Sequence, residues 1–312
     1  MHIRINRCFL SSAVCAVLLA CAGWLKAAET TLTGDYQITG KLRVGSTATN
    51  AGNNSFALGA SAQAGGDRSI SLGNNTRSSA FGSAALGFGA QVSSPGNYSI
   101  AIGALAVVSG DHTFVAGADA SSTAEYAAVV GRNASATQDD SIALGYNAAT
   151  TGAGTSSTAV GLNSTAGGNY TTAIGPNAST SGNNSIAIGN DVSSTLYRTI
   201  VIGSYNSPSV AVGNTSTTAW NGGDDLIVFG NGTGSGNSTS TAMTIKKSGN
   251  IGIGTGNIAL TSVLTVNGTV QLVGPPVGST NATLTVNSNG NITIGHRQGD
   301  IIMGAFGNGG GD

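Results

Sequence analysis

Of 312 residues 49 are glycine, about 16% where roughly 7% is ordinary, while 8% are charged and 5% aromatic. Hydrophobic residues still reach 40%, which excludes a solvated disordered polymer, and five prolines without a three-residue glycine period exclude collagen. A formal net charge of −1 lacks the electrostatic footprint of a nucleic-acid binder.

The first 28 residues read as an export signal. Arg4 and Arg7 form a basic start, and Cys8 to Leu19 supply an apolar core of signal-peptide length. That core is too short for a convincing membrane span, and no transmembrane span is expected in the mature chain. Cleavage near Ala27 or Ala28 is one reading. Lipidation at Cys21, after Leu18-Leu19-Ala20, is the other. All three cysteines (Cys8, Cys15, Cys21) lie in this leader, so the mature chain offers no disulfide and no thiolate ligand or nucleophile. Residues 29–49 are expected to form a β-cap or linker, with Thr31 to Gly45 strand-like.

From residue 50 a repeat takes over. The segment Asn97-Tyr-Ser-Ile-Ala-Ile-Gly103 returns as Asp139-Asp-Ser-Ile-Ala-Leu-Gly145, Asn169-Tyr-Thr-Thr-Ala-Ile-Gly175 and Asn183-Asn-Ser-Ile-Ala-Ile-Gly189. Its closing glycines are Gly59, Gly73, Gly87, Gly103, Gly117, Gly131, Gly145, Gly161, Gly175, Gly189 and Gly203, spaced by 14 residues except for two intervals of 16. Gly213 marks a shortened last coil. A fixed period of this kind signals a repeat architecture.

Each column of the repeat has its own chemistry. Four before the glycine stands a hydroxyl in every coil but one, from Ser55 to Thr199, with Ala127 the exception. This ladder is read as turn-capping. Three and one before are mostly large aliphatics, and two before is small. The alternation predicts a strand, with the bulky side expected to face inward and the small side outward. Three and five after the glycine a weaker alternation follows, as in Ala106 and Val108. The unit is therefore strand, turn, short strand, turn. Stacked at the inter-strand spacing, about twelve coils make a rod on the order of 55 Å long. So thin a rod buries little surface, which points to lateral association, small faces inward.

The pattern Asn-x-Ser-Ile-Ala-Ile-Gly-x-x-Ala-x-Ala-x-Gly resembles the head repeat of YadA-like trimeric autotransporter adhesins, over residues 50–213. The resemblance implies an all-β, left-handed parallel β-roll, a solenoid of 14-residue coils that forms a homotrimer. It further implies an exported, surface-exposed adhesin for host matrix, cells or abiotic surfaces; the alternative is a structural fibre, spacer or matrix component without a specific ligand, and the residues themselves give no reason to expect an enzyme or a cofactor. The coiled-coil stalk and membrane anchor usual in that family are not recognisable here.

Residues 214–312 read as a Gly/Ser/Asn-rich β segment. Ala242 to Lys246, Asn250 to Gly254, Ser262 to Leu272 and Ala282 to Asn287 have strand character, with a hairpin signal at Asn267-Gly268. The stretch Lys247 to Gly256 is similar to phage tail-fibre shafts and bacterial fibrous surface proteins. The Gly-rich stretches at 230–236 and 252–256 lack the Lys-Ser/Thr pair of a phosphate loop. Gly309-Gly-Gly-Asp312 is a fragment of a calcium nonapeptide, read as a frayed end, and no metal site is expected.

A catalytic reading finds few parts, since the mature chain holds only His112 and His296. The candidate site is instead one turn of the coil. Five before the glycine stand Tyr98, His112, Tyr126, Asp140, Tyr170 and Arg198, and one earlier stand Asp111, Glu125 and Asp139. Stacking gathers these along an edge, a multivalent adhesive stripe whose weak contacts gain by avidity.

Overall fold

The computed structural model describes residues 42–45, 47–152, 154–206, 216–234, 239–255, 260 and 262–268. The expected leader, the coil closing on Gly213, the strand at Ala282, His296 and the terminal Gly-Asp run lie outside them. Two compact units divide the chain, Met1–Ser156 and Ser157–Asp312. The described residues are all strand, turn and connection.

In the first unit every coil contributes a three-residue strand before its closing glycine and a two-residue strand after it. Phe56–Leu58, Ile70–Leu72, Ala84–Leu86, Ile100–Ile102, Phe114–Ala116, Ala128–Val130 and Ile142–Leu144 stack in parallel and in register. Gln63–Ala64 through Ala149–Thr150 stack likewise on the other side. The first strand, Leu42–Val44, pairs with Phe56–Leu58, so Gly45 is a closing glycine one coil earlier than the eleven. Between Gly87 and Gly103, where the spacing is 16, the strands stay paired: Gln91 faces Val107 and Ala84 faces Ile100. The extra residues are absorbed in the turn at residues 93–96.

The orientation of the strands is opposite to the sequence expectation. Ala101, Val115, Val129 and Ala143, two before the glycine, are fully buried, whereas Ile100 and Ile102 are 37% and 39% exposed. Ala106 and Val108 on the short strand are buried too. The reason is volume. Two strands joined by tight turns leave an interior one small side chain deep, and close packing admits Ala, Val, Ser or Thr there but not a pair of isoleucines. The small faces are thus the core of the coil itself, and the large aliphatics form its outer long-strand face.

Two turns close each coil. The trailing turn begins at the closing glycine, whose φ is +152° at Gly117 and +131° at Gly59. Only glycine accepts that region comfortably. Space forbids a side chain as well: a Cβ on Gly117 would lie 2.2 Å from the Gly131 carbonyl oxygen. The hydroxyl column lines the interior and satisfies turn carbonyls. Ser69 Oγ donates to Gly66 O at 2.6 Å and Ser83 Oγ to Ala80 O at 2.6 Å. Ser99 and Thr113 reach into the next coil, to Gly110 O and Ala124 O, each at 2.8 Å. These buried hydroxyls are thereby paired, as burial requires.

The second unit begins with the same coil: Thr158–Val160, Thr172–Ile174, Ile186–Asn190 and Ile200–Ser204 stack in parallel. The next strand in the sheet is Asp225–Asn231, with Gly230 opposite Gly203. Chain direction then reverses. Thr241–Lys246 and Ile251–Ile253 add antiparallel strands, and Leu264–Val266 runs parallel to the last of these. The second half of the hairpin expected at Asn267-Gly268 lies outside the described residues. Two ion pairs pin the reversal: Lys246 Nζ is 2.5 Å from Asp225 Oδ1, and Lys247 Nζ is 3.4 Å from Asp224 Oδ2.

Candidate adhesive edge

The leading turn, just before the long strand, holds one residue of every coil from Asn54 to Arg198 in the left-handed region. Tyr98, His112, Tyr126, Asp140, Tyr170 and Arg198 have φ between 53° and 55°. Asn, Asp and Gly tolerate this conformation, but for other L-residues it costs roughly 1–2 kcal/mol. The trailing turn has an equivalent left-handed position, filled in most coils by easy residues such as Asn133, Asn147, Asn163 and Asn177. Bulky side chains on the leading turn are therefore held against backbone preference.

One residue earlier, the chain binds coil to coil. Asp67 Oδ1 accepts the Asn53 backbone N–H at 2.7 Å, Asp111 Oδ1 that of Asn97 at 2.6 Å, and Asp139 Oδ1 that of Glu125 at 2.8 Å. Asn97 and Asn183 act alike, their Oδ1 atoms accepting from Phe81 N at 3.1 Å and Asn169 N at 3.0 Å. Asp111 and Asp139, assigned to the adhesive stripe from sequence, are thus structural acceptors. The Glu125 carboxylate, one methylene longer, takes no such bond. Further along, backbone carbonyls of residues 216 and 217 replace the side chain, accepting from Tyr197 N at 2.9 Å and Asn183 N at 2.8 Å.

Among the described residues, ring meets ring in the first unit. Tyr98 and His112 stack with centroids 5.3 Å apart and planes at 27°. His112 and Tyr126 follow at 5.0 Å and 10°. Phe81 meets Tyr98 edge-on at 5.3 Å, and the Arg68 guanidinium lies over Phe81 at 5.3 Å. Gly82 makes room, since a Cβ there would come within 3.0 Å of Tyr98 Cδ1. Five residues thus form one file along the edge, at the offset or edge-on geometries that aromatic quadrupoles favour. Sequence reasoning missed Phe81 because it sits one place out of the column. The signal was there, as Gly82 vacates the column beside an aromatic.

The remaining candidates stand apart. Tyr170, in the second unit, is 59% exposed and touches no other ring. Arg198 turns to the neighbouring Tyr197, 5.1 Å from its centroid. Asp140 follows Tyr126 in the column and makes no side-chain hydrogen bond or ion pair. Among the described residues no group of three or more His, Cys, Asp or Glu is placed to hold a metal ion.

Comparison with known proteins bears on the coil. Among solved structures, the collagen-binding domain of the Yersinia adhesin YadA is similar at 24% identity, over 48% of this chain and 69% of that one, with a TM-score of 0.30. No curated protein matches the chain. The family model of the YadA head domain repeat, in two copies, matches residues 51–76, 78–106, 94–120, 122–148, 153–178 and 166–191. The coils between residues 51 and 191 are thus similar to the YadA head domain repeat.

Proposed function

We propose that the chain is an exported, surface-displayed adhesin, assembled as a homotrimer, that attaches through repeated non-catalytic contacts along the leading-turn edge. The observation that carries this reading is the strained column. Tyr98, His112, Tyr126 and Tyr170 occupy left-handed positions where Asn or Gly would serve the fold better, and their side chains point into solvent. The YadA head repeats support membership among surface adhesins.

The trimer has its own support. In the first unit Ile70, Leu72, Ile100, Ile102, Phe114 and Ile142 form adjacent exposed apolar columns, and contiguous apolar patches of this kind are interaction surfaces. This face differs from the small-residue face that sequence reasoning favoured for lateral association. The export signal over residues 1–28 completes the reading, and cleavage near Ala28 and lipidation at Cys21 are separated by the mass of the mature N-terminus.

The purified mature chain and a Tyr98→Ser/Tyr126→Ser/Tyr170→Ser variant, compared on collagen, fibronectin, glycans and whole cells, test the edge. The variant is expected to lose attachment while keeping its oligomeric state. Unchanged attachment overturns the edge. No attachment by the parent, with the oligomer intact, leaves a spacer without specific ligand.

A further inference from the structure

The aromatic file in the first unit has two different ends. At one end the chain caps the file with its own cation, Arg68 over Phe81 at 5.3 Å. Phe81, Tyr98, His112 and Tyr126 then follow ring against ring. At the other end, among the described residues, no ring or cation follows Tyr126. The next residue of the column is Asp140, one coil on, with the same backbone conformation, φ 54° against 53°. Its side chain is too short to cover a phenol ring. Tyr126 is 58% exposed, and the Glu125 carboxylate beside it is free, since Asp139 bonds the Glu125 backbone rather than its side chain.

We infer that this open end of the file receives a guanidinium from an arginine-bearing polypeptide on the surface the protein attaches to. The cation stacks on the outer face of Tyr126 and pairs with the carboxylates of Asp140 and Glu125. Ring face and carboxylate together are what a planar guanidinium uses best. The first unit displays the ring half of this preference within itself, in Arg68 on Phe81 and in Arg132 over Tyr146 at 5.8 Å. A partner arginine at Tyr126 would complete the file as Arg68 completes its other end. The inference rests on the adhesive reading of this edge and adds the chemistry of what is bound.

The test uses the full mature chain and two immobilised peptides, one of arginine residues and one in which citrulline replaces each arginine. The citrulline peptide keeps the planar shape but carries no charge, with three N–H donors and a carbonyl acceptor where arginine has five donors. The parent is expected to be retained on the arginine peptide and not on the citrulline peptide. Tyr126→Ser and Asp140→Asn should each weaken retention about two- to fivefold, the loss of one exposed cation–π or ionic contact per chain. Tyr146→Ser, on the opposite turn, should leave it unchanged, and circular dichroism checks that each variant keeps its coil. Equal retention on both peptides, or retention indifferent to Tyr126→Ser and Asp140→Asn, overturns the inference. Attachment to cells and matrix that survives such a result leaves the adhesive edge standing. Arginine binding without attachment overturns the edge reading and spares the site.

Discussion

Asp111 Oδ1 accepts the backbone N–H of Asn97 at 2.6 Å, fourteen residues earlier, and joins two coils at a turn their strands do not reach. Removing the acceptor strands an amide in a half-buried turn, which costs about 1–3 kcal/mol. Asp111→Ala is therefore expected to lower the melting temperature, whereas Asp111→Asn, which keeps an oxygen in place as Asn97 does toward Phe81, should not. Thermal unfolding of the two variants reads the difference. Equal loss in both would mean that charge rather than the acceptor matters.

The closing glycines carry a double constraint, conformation and space. Gly117→Ala puts a Cβ where 2.2 Å separates it from a backbone carbonyl, in a φ region costing of order 1–3 kcal/mol for any other residue. The variant should unfold at clearly lower denaturant concentration. Ala127→Ser in the hydroxyl column, whose occupants in other coils bond turn carbonyls, serves as the mild companion and should keep near-parental stability.

Much of this fold was legible because the period is written in glycine. The columns fixed the coil, its two strands and the in-register stacking. What alternation could not reveal was which side faces in. Period two is the same whether Ile102 or Ala101 points to the core, and the answer came from the width of the coil. The acidic column misled for a related reason. Asp111 and Asp139 look like surface charge in sequence, and only the position of the preceding coil's amides makes them acceptors. The aromatic file was half legible. The stacking of Tyr98, His112 and Tyr126 followed from the column, but Phe81 and its Arg68 cap required the turn at Gly82.

The outward aliphatic face makes the oligomer testable residue by residue. Ile102→Asp places a carboxylate in the exposed columns, and light scattering should then report smaller species while circular dichroism of the coil is kept. Ala101→Asp, its buried neighbour, should instead unfold the coil, because an unpaired charge cannot be accommodated there. An unchanged molar mass for Ile102→Asp would remove this face from the interface.

In the second unit the Lys247–Asp224 pair is almost wholly buried, with side-chain exposures of 0% and 1%. The Lys247 ammonium also lies 5.3 Å from the Trp220 ring and 5.9 Å from that of Tyr197. Deleting one partner of such a pair leaves an uncompensated buried charge, a loss of about 3–5 kcal/mol. Asp224→Ala should expose residues 241–246 to faster amide exchange. Exchange as slow as in the parent would show that the aromatic rings alone hold Lys247.

Tyr170 separates stability from function most directly. It stands in the left-handed region with φ 55°, without a ring neighbour, so its side chain contributes little packing to offset the backbone strain. Asn occupies the same place in the following coil, at Asn184, with φ 56°. Tyr170→Asn is therefore expected to stabilise the protein by about 1 kcal/mol, read as a higher melting temperature, and to weaken attachment. A residue kept for the fold would give the reverse, a lower melting temperature with attachment unchanged. A gain in both would mean that this tyrosine serves neither.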